Sequence, residues 1–123
     1  MEPKPHSPAN LQAGETAETL ACHYLEQQGL VLIERNYRCR AGEVDLIMRD
    51  GECLVFVEVR SRQHSRYGTP AETVTRTKQR RLCRAAAYYL LTHPCKAPCR
   101  FDVIAIVQQK QQLDWIRGAF QAD

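Results

Sequence analysis

The architecture of this chain follows from two apolar segments, Val44-Asp45-Leu46-Ile47-Met48 and Cys53-Leu54-Val55-Phe56-Val57-Glu58-Val59. Both are rich in the β-branched and large apolar residues that strands favour. The polar stretch Arg49-Asp50-Gly51-Glu52 lies between them, and an Asp-Gly pair in that position is a strong signal for a β-hairpin. The sequence therefore predicts two antiparallel strands, the second of them buried on both faces along Leu54–Val57.

On the N-terminal side of this hairpin, the sequence predicts one helix and one short strand. Apolar residues recur with helical spacing at Ala17, Leu20, Ala21, Tyr24 and Leu25. Gly29 favours the left-handed conformation that ends a helix, and the apolar run Leu30–Ile33 follows as a strand. Residues 1–13, which include three prolines and lack periodicity, are expected to form a flexible tail.

On the C-terminal side, the predicted order is helix, strand, strand. Thr69, Pro70 and Glu72 have the types and spacing of a capping box at a helix start. The helical stripe continues at Leu82, Ala85, Ala86, Tyr89 and Leu90. Phe101–Val107 is expected to form a buried strand and Leu113–Ile116 a short last strand, so the order is αβββαββ. One mixed sheet flanked by helices is the economical fold.

The composition of the 123-residue chain is that of one globular domain, predicted over residues 14–118 with a C-terminal tail over 119–123. A hydrophobic content of 44% and a charged content of 25% exclude a wholly disordered chain. No run of about 18 apolar residues is present, which excludes a membrane-spanning helix. Residues 1–8 contain no apolar stretch, so no secretory signal is expected. A cytoplasmic location without membrane partners is the expectation.

The six cysteines include no C-x-x-C pair. In a reducing compartment they are expected to be free thiols. Cys95 and Cys99, with His93 nearby, supply half of a zinc site, but four ligands at structural spacing are not available. No zinc is therefore expected.

Basic residues are concentrated in residues 60–84. This segment contains eight basic residues and one acid, a net charge of +7, whereas the whole chain carries +3. Such an asymmetry indicates a surface for a polyanion, and a solvated helix face is the alternative. The candidates for nucleic-acid binding are Arg62, Arg66, Arg76, Arg80, Arg81 and Arg84.

Carboxylates on the predicted hairpin are the candidates for chemistry. Glu43 and Asp45 lie two residues apart on one face of a strand, and Glu58 precedes Arg60 by the same spacing. Neighbouring carboxylates beside a cation suit Mg²⁺ or Mn²⁺, since Mg²⁺ takes oxygen ligands and keeps several waters. Such an ion lowers the pKa of a bound water and neutralises charge on a phosphate. An ion pair between Glu58 and an arginine is the alternative, although an acid directly after Leu54–Val57 is costly to bury without a cation.

The two helices offer a further acid and a further cation. At about 100° per residue, Glu18 lies at the margin of the apolar stripe beside Leu25, whereas Glu15 lies on the far side. This geometry favours Glu18 as the acid that leans toward the sheet, and Glu15 stays an alternative if the helix begins after it. Lys78 lies four residues before Leu82, in line with the apolar face. A lysine there extends its ammonium group to the surface or to a phosphate at the edge of the sheet.

Several motifs along the chain are typical of one known family. They are Gly14-Glu15, Gly29, Arg35-Asn36, Gly42–Ile47, Phe56–Arg60 with Arg62, Gly68, Val74 with Lys78-Gln79, and Arg100–Val103. In this order the chain resembles the YraN family, also called uncharacterised protein family 0102. That family is similar to restriction-endonuclease-like proteins and, among them, to the archaeal Holliday-junction resolvases. The resemblance implies an α/β fold, a restriction-endonuclease-like mixed β-sheet flanked by helices.

The resemblance also implies a PD-(D/E)xK-type nuclease site. Such a site has a helical Glu, an Asp at a strand start, and Glu-x-Lys on the next strand. Asp45 and Glu58 match its two metal ligands, and Glu18 matches the helical Glu of the resolvases. Glu15 belongs instead to the Gly-Glu pair of the YraN family, and Glu43 is a further acid near the site.

Arg60 departs from the nuclease pattern, because it stands where a lysine is expected. Arginine stays protonated and cannot act as a base, although it binds phosphate bidentately and stabilises developing charge. Lys78, in the helical motif of the YraN family, is the other candidate catalytic cation.

Two functions therefore remain open. The first is a Mg²⁺- or Mn²⁺-dependent endonuclease acting on branched or structured DNA, with Asp45 and Glu58, aided by Glu18, at the metal. The second is a nucleic-acid-binding protein that keeps the fold without turnover. A subunit whose basic face docks an acidic protein is a weaker third hypothesis. Because resolvases of similar fold act as two-fold dimers, a homodimer is a further expectation.

Overall fold

The computed structural model describes residues 16–62 and 74–122. Glu15, Arg66, the N-terminal tail and the predicted capping box at residues 69–72 lie outside the described residues. The described elements are α1 (Ala17–Gln27), β1 (Val31–Cys39), β2 (Gly42–Asp50), β3 (Cys53–Arg62), α2 (Arg76–Thr92), β4 (Cys99–Val107) and β5 (Gln112–Phe120). This is the predicted order αβββαββ. No helix among the described residues is both long and apolar enough to cross a membrane.

The five strands form one mixed sheet in the order β1-β2-β3-β4-β5. The hairpin that joins β2 to β3 at Gly51 is confirmed, and β3 pairs in parallel with β4 after the crossover through α2. The remaining neighbours are antiparallel. The sheet is thus the predicted mixed sheet flanked by helices, the arrangement that the resemblance to restriction-endonuclease-like proteins implies.

The first and last strands extend well beyond their predicted ends, and the helix between β3 and β4 is described from Arg76. The first strand extends from Val31 to Cys39, because the whole length of β1 pairs with β2, which the short apolar run does not reveal. The helix that carries Leu82 begins at Arg76, with the Thr75 hydroxyl accepting the N–H of Lys78 as its N-cap. The last strand continues to Phe120, which stacks on Phe101.

The two faces of the sheet carry separate apolar cores. The core under α1 contains Leu20, Ala21, Leu25, Leu46, Met48, Val55, Val57, Ile104 and Ile106. The core under α2 contains Val44, Ile47, Leu54, Phe56, Leu82, Ala85, Ala86, Tyr89 and Phe101. Because both faces of β3 are covered, this strand is buried from Leu54 to Glu58, as its unbroken apolar run predicts.

The alternation of side chains changes in the middle of β2. Leu46 lies in the core under α1, but Val44, two residues away, lies in the core under α2. Between the paired residues Arg35–Leu46 and Tyr37–Val44, the neighbouring strand has Asn36 in the left-handed region, with φ of 52°. This kink turns the start of β2 toward α2. Pairing between β2 and β3 ends at Leu46 and Val57, so the sheet opens at Asp45.

Candidate functional site

Where the backbone pairing of β2 and β3 ends, a side chain of β2 accepts a hydrogen bond from the backbone of β3. Asp45 Oδ2 accepts a hydrogen bond of 2.8 Å from the backbone N–H of Val59. The carboxylate of Asp45 is thereby fixed at the end of the buried part of β3, next to Glu58. The predicted pair of neighbouring carboxylates is therefore present in the structure.

Glu58 is buried, with 4% of its surface exposed, and it contacts two cations. Lys78 Nζ lies 3.2 Å from Glu58 Oε2, and Arg60 Nη1 lies 3.8 Å from the same oxygen. The ion pair with Arg60, which the sequence offers as the alternative to a metal site, is thus present but is the longer of the two. The closer partner of Glu58 is Lys78, which lies on helix α2.

Helix α2 places Lys78 through its first turn. Lys78 lies one turn before Leu82, whose side chain is buried under the helix, so both residues face the sheet. The amide group of Gln79 donates to the carbonyl of Val74, 2.9 Å away, and holds the chain that leads into the helix. Gly42 lets α2 approach β2, because a Cβ atom there would lie 3.2 Å from the carbonyl oxygen of Arg81. The Lys-Gln motif therefore has one residue at the site and one that supports it.

Burial raises the proton affinity of both carboxyl groups, and the charge of Glu58 raises that of Asp45 further. Burial and, after it, the charge of Glu58 raise the pKa of Asp45 to about 7. The hydrogen bond from the Val59 N–H lowers this pKa and so opposes the rise. Burial also raises the pKa of Glu58, although Lys78 and Arg60 oppose that rise. Lys78 and Arg60 compensate the charge of Glu58, and a further cation between the two carboxyl groups would favour the ionised form of Asp45.

Two grooves meet at the carboxylates. The first, here called the turn groove, has a volume of about 360 Å³ and is lined by Arg38, Gly42, Glu43 and Arg81 beside the site. The second, here called the β3 groove, has a volume of about 370 Å³ and is lined by Glu18, Arg60, Ser61 and Arg62. Asp45, Glu58 and Lys78 line both grooves. The two grooves therefore adjoin at these three side chains.

Glu18 and Glu43 reach this region from different sides. Glu18, the helical acid favoured by the geometry of the first helix, lines the β3 groove, and Glu43 lines the turn groove. Both charges contribute to the raised pKa of Asp45. Among residues 16–62 and 74–122, however, no three side chains of the His, Cys, Asp or Glu type converge on one metal position. Glu18 is therefore near Asp45 and Glu58 without forming a third ligand with them.

The predicted basic residues that the structure describes line three different grooves. Arg81 lines the turn groove and Arg62 the β3 groove. Arg76, Arg80 and Arg84 line a third groove, of about 380 Å³, on the other flank of α2 beside Phe120. Arg38, which no sequence pattern singles out, joins the site because the turn between β1 and β2 brings it opposite α2.

The donor set fits a hard divalent cation. Two carboxylates suffice for Mg²⁺, which keeps several waters and is completed by substrate phosphate. A cation between Asp45 and Glu58 would favour the ionised form of both groups and would therefore lower the pKa values that burial raises. Asp45 and Glu58 are therefore the residues that would hold such an ion.

Asp45→Asn should make the folded protein more stable at neutral and alkaline pH. The folded-state pKa of Asp45, about 7, lies above its unfolded value of about 3.9. The folded state therefore binds more protons between these values, and stability falls as pH rises through that window. Asn keeps an oxygen for the Val59 N–H and carries no charge. The gain over the wild type should grow to roughly 2 to 4 kcal/mol above about pH 8, since one pKa unit is about 1.4 kcal/mol.

Urea unfolding of both proteins at several pH values measures this difference. Glu52→Gln is the matched control, because Glu52 is an exposed acid in the hairpin turn, and its effect should not change with pH. A difference between Asp45→Asn and the wild type that stays constant from about pH 4 to 8 would contradict the crowding of the two carboxylates.

Comparisons with known proteins identify the family of this chain. The profile of the uncharacterised protein family UPF0102 matches residues 17–106. Similar proteins include the UPF0102 protein of Nitrosococcus oceani, 46% identical over 100% of this chain and 99% of the relative. The UPF0102 proteins of Alkalilimnicola ehrlichii (51% identical, over 97% of this chain and 95% of the relative) and Cupriavidus metallidurans (50%, over 98% and 88%) are also similar. The chain therefore belongs to the uncharacterised protein family UPF0102.

Proposed function

We propose that this protein is a Mg²⁺- or Mn²⁺-dependent endonuclease that acts on branched or otherwise structured DNA. The observation that carries the proposal is the convergence of Asp45 and Glu58 at the opening of the sheet, with Lys78 Nζ 3.2 Å from Glu58. Two crowded carboxylates and a lysine form the charge pattern that metal-assisted attack on a phosphodiester requires. The resemblance to restriction-endonuclease-like proteins supports the same reaction class by analogy.

The residues at the site have distinct roles in the proposed reaction. Asp45 and Glu58 would hold the metal, which when bound lowers the pKa of water and neutralises charge on the phosphate. The Val59 N–H keeps the Asp45 carboxylate in place. Lys78 and Arg60 are close enough to Glu58 to stabilise charge on a phosphate at the same position. Because Arg60 stays protonated, its contribution is electrostatic.

A nucleic-acid-binding protein without turnover is the second candidate. Two observations favour it: both Lys78 and Arg60 already contact Glu58, and a basic groove with Arg76, Arg80 and Arg84 lies away from the carboxylates. Such a protein would bind phosphates and release counterions, so its affinity would fall steeply with salt. The two candidates differ in whether the carboxylates bind a metal.

The deciding experiment measures cleavage of a labelled four-way DNA junction, a flap and a plain duplex with Mg²⁺ or Mn²⁺. We expect the wild type to cleave a branched substrate, and Asp45→Asn and Glu58→Gln each to reduce kcat/KM at least about a thousandfold, since removal of a reaction's central residue costs 10³-fold or more. Nucleic-acid binding should survive in both variants. Glu52→Gln, which removes an exposed acid far from the site, should cleave like the wild type.

Metal binding gives an independent measurement. A metal that binds the folded state raises its melting temperature, so Mg²⁺ or Mn²⁺ should stabilise the wild type but not Asp45→Asn. Salt-sensitive binding without cleavage and without stabilisation by metal would instead select the non-catalytic candidate.

A further inference from the structure

The turn groove contains two arginines that the carboxylate pair does not use. Arg38 has 73% of its side chain exposed, and its Nε lies 3.7 Å from Glu43, which is itself 43% exposed. An exposed pair of this length holds the arginine only weakly. Arg81 is exposed and forms no ion pair with any residue in the described part of the chain. Both guanidinium groups are therefore available to a ligand in the groove.

The turn groove lies where α2 packs closely on the start of β2. Gly42 is part of its lining, and a Cβ atom there would lie 3.2 Å from the backbone carbonyl oxygen of Arg81. Asp45 and Glu58 line the same groove. The groove thus combines space, two arginines and direct access to the carboxylates.

The β3 groove carries cations on the opposite side of the same carboxylates. Arg60 and Arg62 lie on one face at the end of β3, because their spacing of two places both side chains on the same side of a strand. The Nε atom of Arg62 is buried and has no hydrogen-bond partner among residues 16–62 and 74–122. A buried donor without a partner is costly, and a phosphate oxygen would satisfy it.

We propose that the turn groove, through Arg38 and Arg81, binds the phosphate that adjoins the scissile phosphate on one side, while Arg62 binds the adjoining phosphate on the other. This inference rests on the proposed function and deepens it. The ligand class is a continuous nucleic-acid strand that extends to both sides of the carboxylates. Arginine suits this task because its planar guanidinium group binds phosphate bidentately.

The test replaces single phosphates of the cleaved substrate by neutral methylphosphonates, one position at a time. For the wild type, neutralising either phosphate next to the cleaved bond should lower kcat/KM about ten- to hundredfold, the range for a hydrogen bond to a charged group. The variant Arg38→Ala/Arg81→Ala should lose activity on the natural substrate by a similar factor. In this double variant, neutralising the phosphate on one side of the cleaved bond should no longer lower kcat/KM. In Arg62→Ala, neutralising the phosphate on the other side should no longer lower kcat/KM.

Arg40→Ala is the matched control. Arg40 is an exposed arginine in the β1–β2 turn, two residues after Arg38, but it lines neither groove, so this variant should keep the full wild-type pattern. Urea unfolding of Arg38→Ala/Arg81→Ala should match the wild type, because both side chains are exposed.

The outcomes separate this inference from the proposed function. If the wild type cleaves but the double variant keeps its sensitivity at both neighbouring phosphates, the phosphate assignment is wrong while the nuclease stands. If nothing is cleaved, the nuclease is wrong, and the same scan is measured as binding affinity. If the affinity of the double variant no longer depends on the charge of one phosphate, the turn groove is still supported as a phosphate site. If the double variant binds the substrate as tightly as the wild type does, the turn groove is not a phosphate site.

Discussion

Asp102→Ala should lower the free energy of unfolding by about 3 to 5 kcal/mol, the range for breaking a buried ion pair from one side. Asp102 is 1% exposed. Its two oxygens accept four hydrogen bonds, from Arg100 Nε at 2.9 Å and Nη2 at 3.0 Å, from Trp115 Nε1 at 2.9 Å and from the N–H of Gly118 at 3.0 Å. Alanine leaves all these donors without their acceptor.

The cost is large because Asp102 joins three strands. Arg100 also donates to Asp50, 3.0 Å away at the end of β2, and its pKa is raised mainly by the hydrogen bond to Asp102. The pairing of β4 with β5 is irregular opposite Asp102, between Phe101 and Val103. The carboxylate bonds the Gly118 N–H at this irregularity, where Gly118 has φ of 57°.

Urea unfolding followed by the fluorescence of Trp115 measures this loss directly, since the chain contains one tryptophan. Asp114→Ala is the matched control, because the side chain of Asp114 accepts a hydrogen bond from the exposed side chain of Gln112, and it should cost less than about 0.5 kcal/mol. Should the alanine variant fail to fold, Asp102→Asn keeps one acceptor oxygen and should lose at least about 2 kcal/mol. An unfolding free energy of Asp102→Ala within about 1 kcal/mol of the wild type would show that the cluster is dispensable.

The Asp102 cluster also accounts for one of the motifs that mark the family. Arg100–Val103 reads in the sequence as the start of a buried strand, and nothing in its spacing distinguishes a structural acid from a functional one. In the structure, Asp102 lies on the face of the sheet under α1, and its oxygens are occupied by protein donors. The motif therefore supports the fold, whereas the motifs with Asp45 and Glu58 form the candidate site.

Local sequence patterns predict most of the fold. The Asp-Gly turn determines the β2–β3 hairpin, and the hairpin alone brings Asp45 opposite Glu58. The helical stripe places Glu18 on the side of α1 that borders the sheet. These features follow from neighbours in sequence, for which strand and helix periodicity are sufficient guides.

The rest of the site depends on contacts between distant segments. Asn36, in the left-handed conformation, turns the start of β2 away from β3. The periodicity of the sequence does not predict which single residue adopts that conformation. The distance from Lys78 to Glu58 depends on where α2 begins, and α2 starts at Arg76 with Thr75 as its N-cap. Arg38 enters the site only because α2 crosses over the β1–β2 turn. Such positions are determined by packing, which the sequence does not display.

Lys78→Met should reduce kcat/KM for metal-dependent cleavage by about a hundred- to a thousandfold, the cost of removing one preorganised group that stabilises transition-state charge. This prediction rests on the proposed nuclease function. Methionine keeps the length and apolar contacts of the lysine but loses its charge. Arg60→Met should cost less, about tenfold, because Arg60 lies 3.8 Å from Glu58 Oε2, whereas Lys78 lies at 3.2 Å. Lys78 also borders both grooves, and Arg60 borders only one.

The pH dependence distinguishes a charge at the site from a structural role. Lys78 holds down the pKa of Glu58, which burial raises, so Lys78→Met should move that pKa further up. A carboxylate that must be ionised to hold the metal then becomes active only at higher pH, and the acidic limb of the pH–rate profile should shift upward. Arg80→Met on the same helix, outside both grooves, should leave the profile unchanged. If Arg60→Met cost more activity than Lys78→Met, the arginine on β3 would be the principal catalytic cation, and the lysine on α2 would serve mainly to neutralise Glu58.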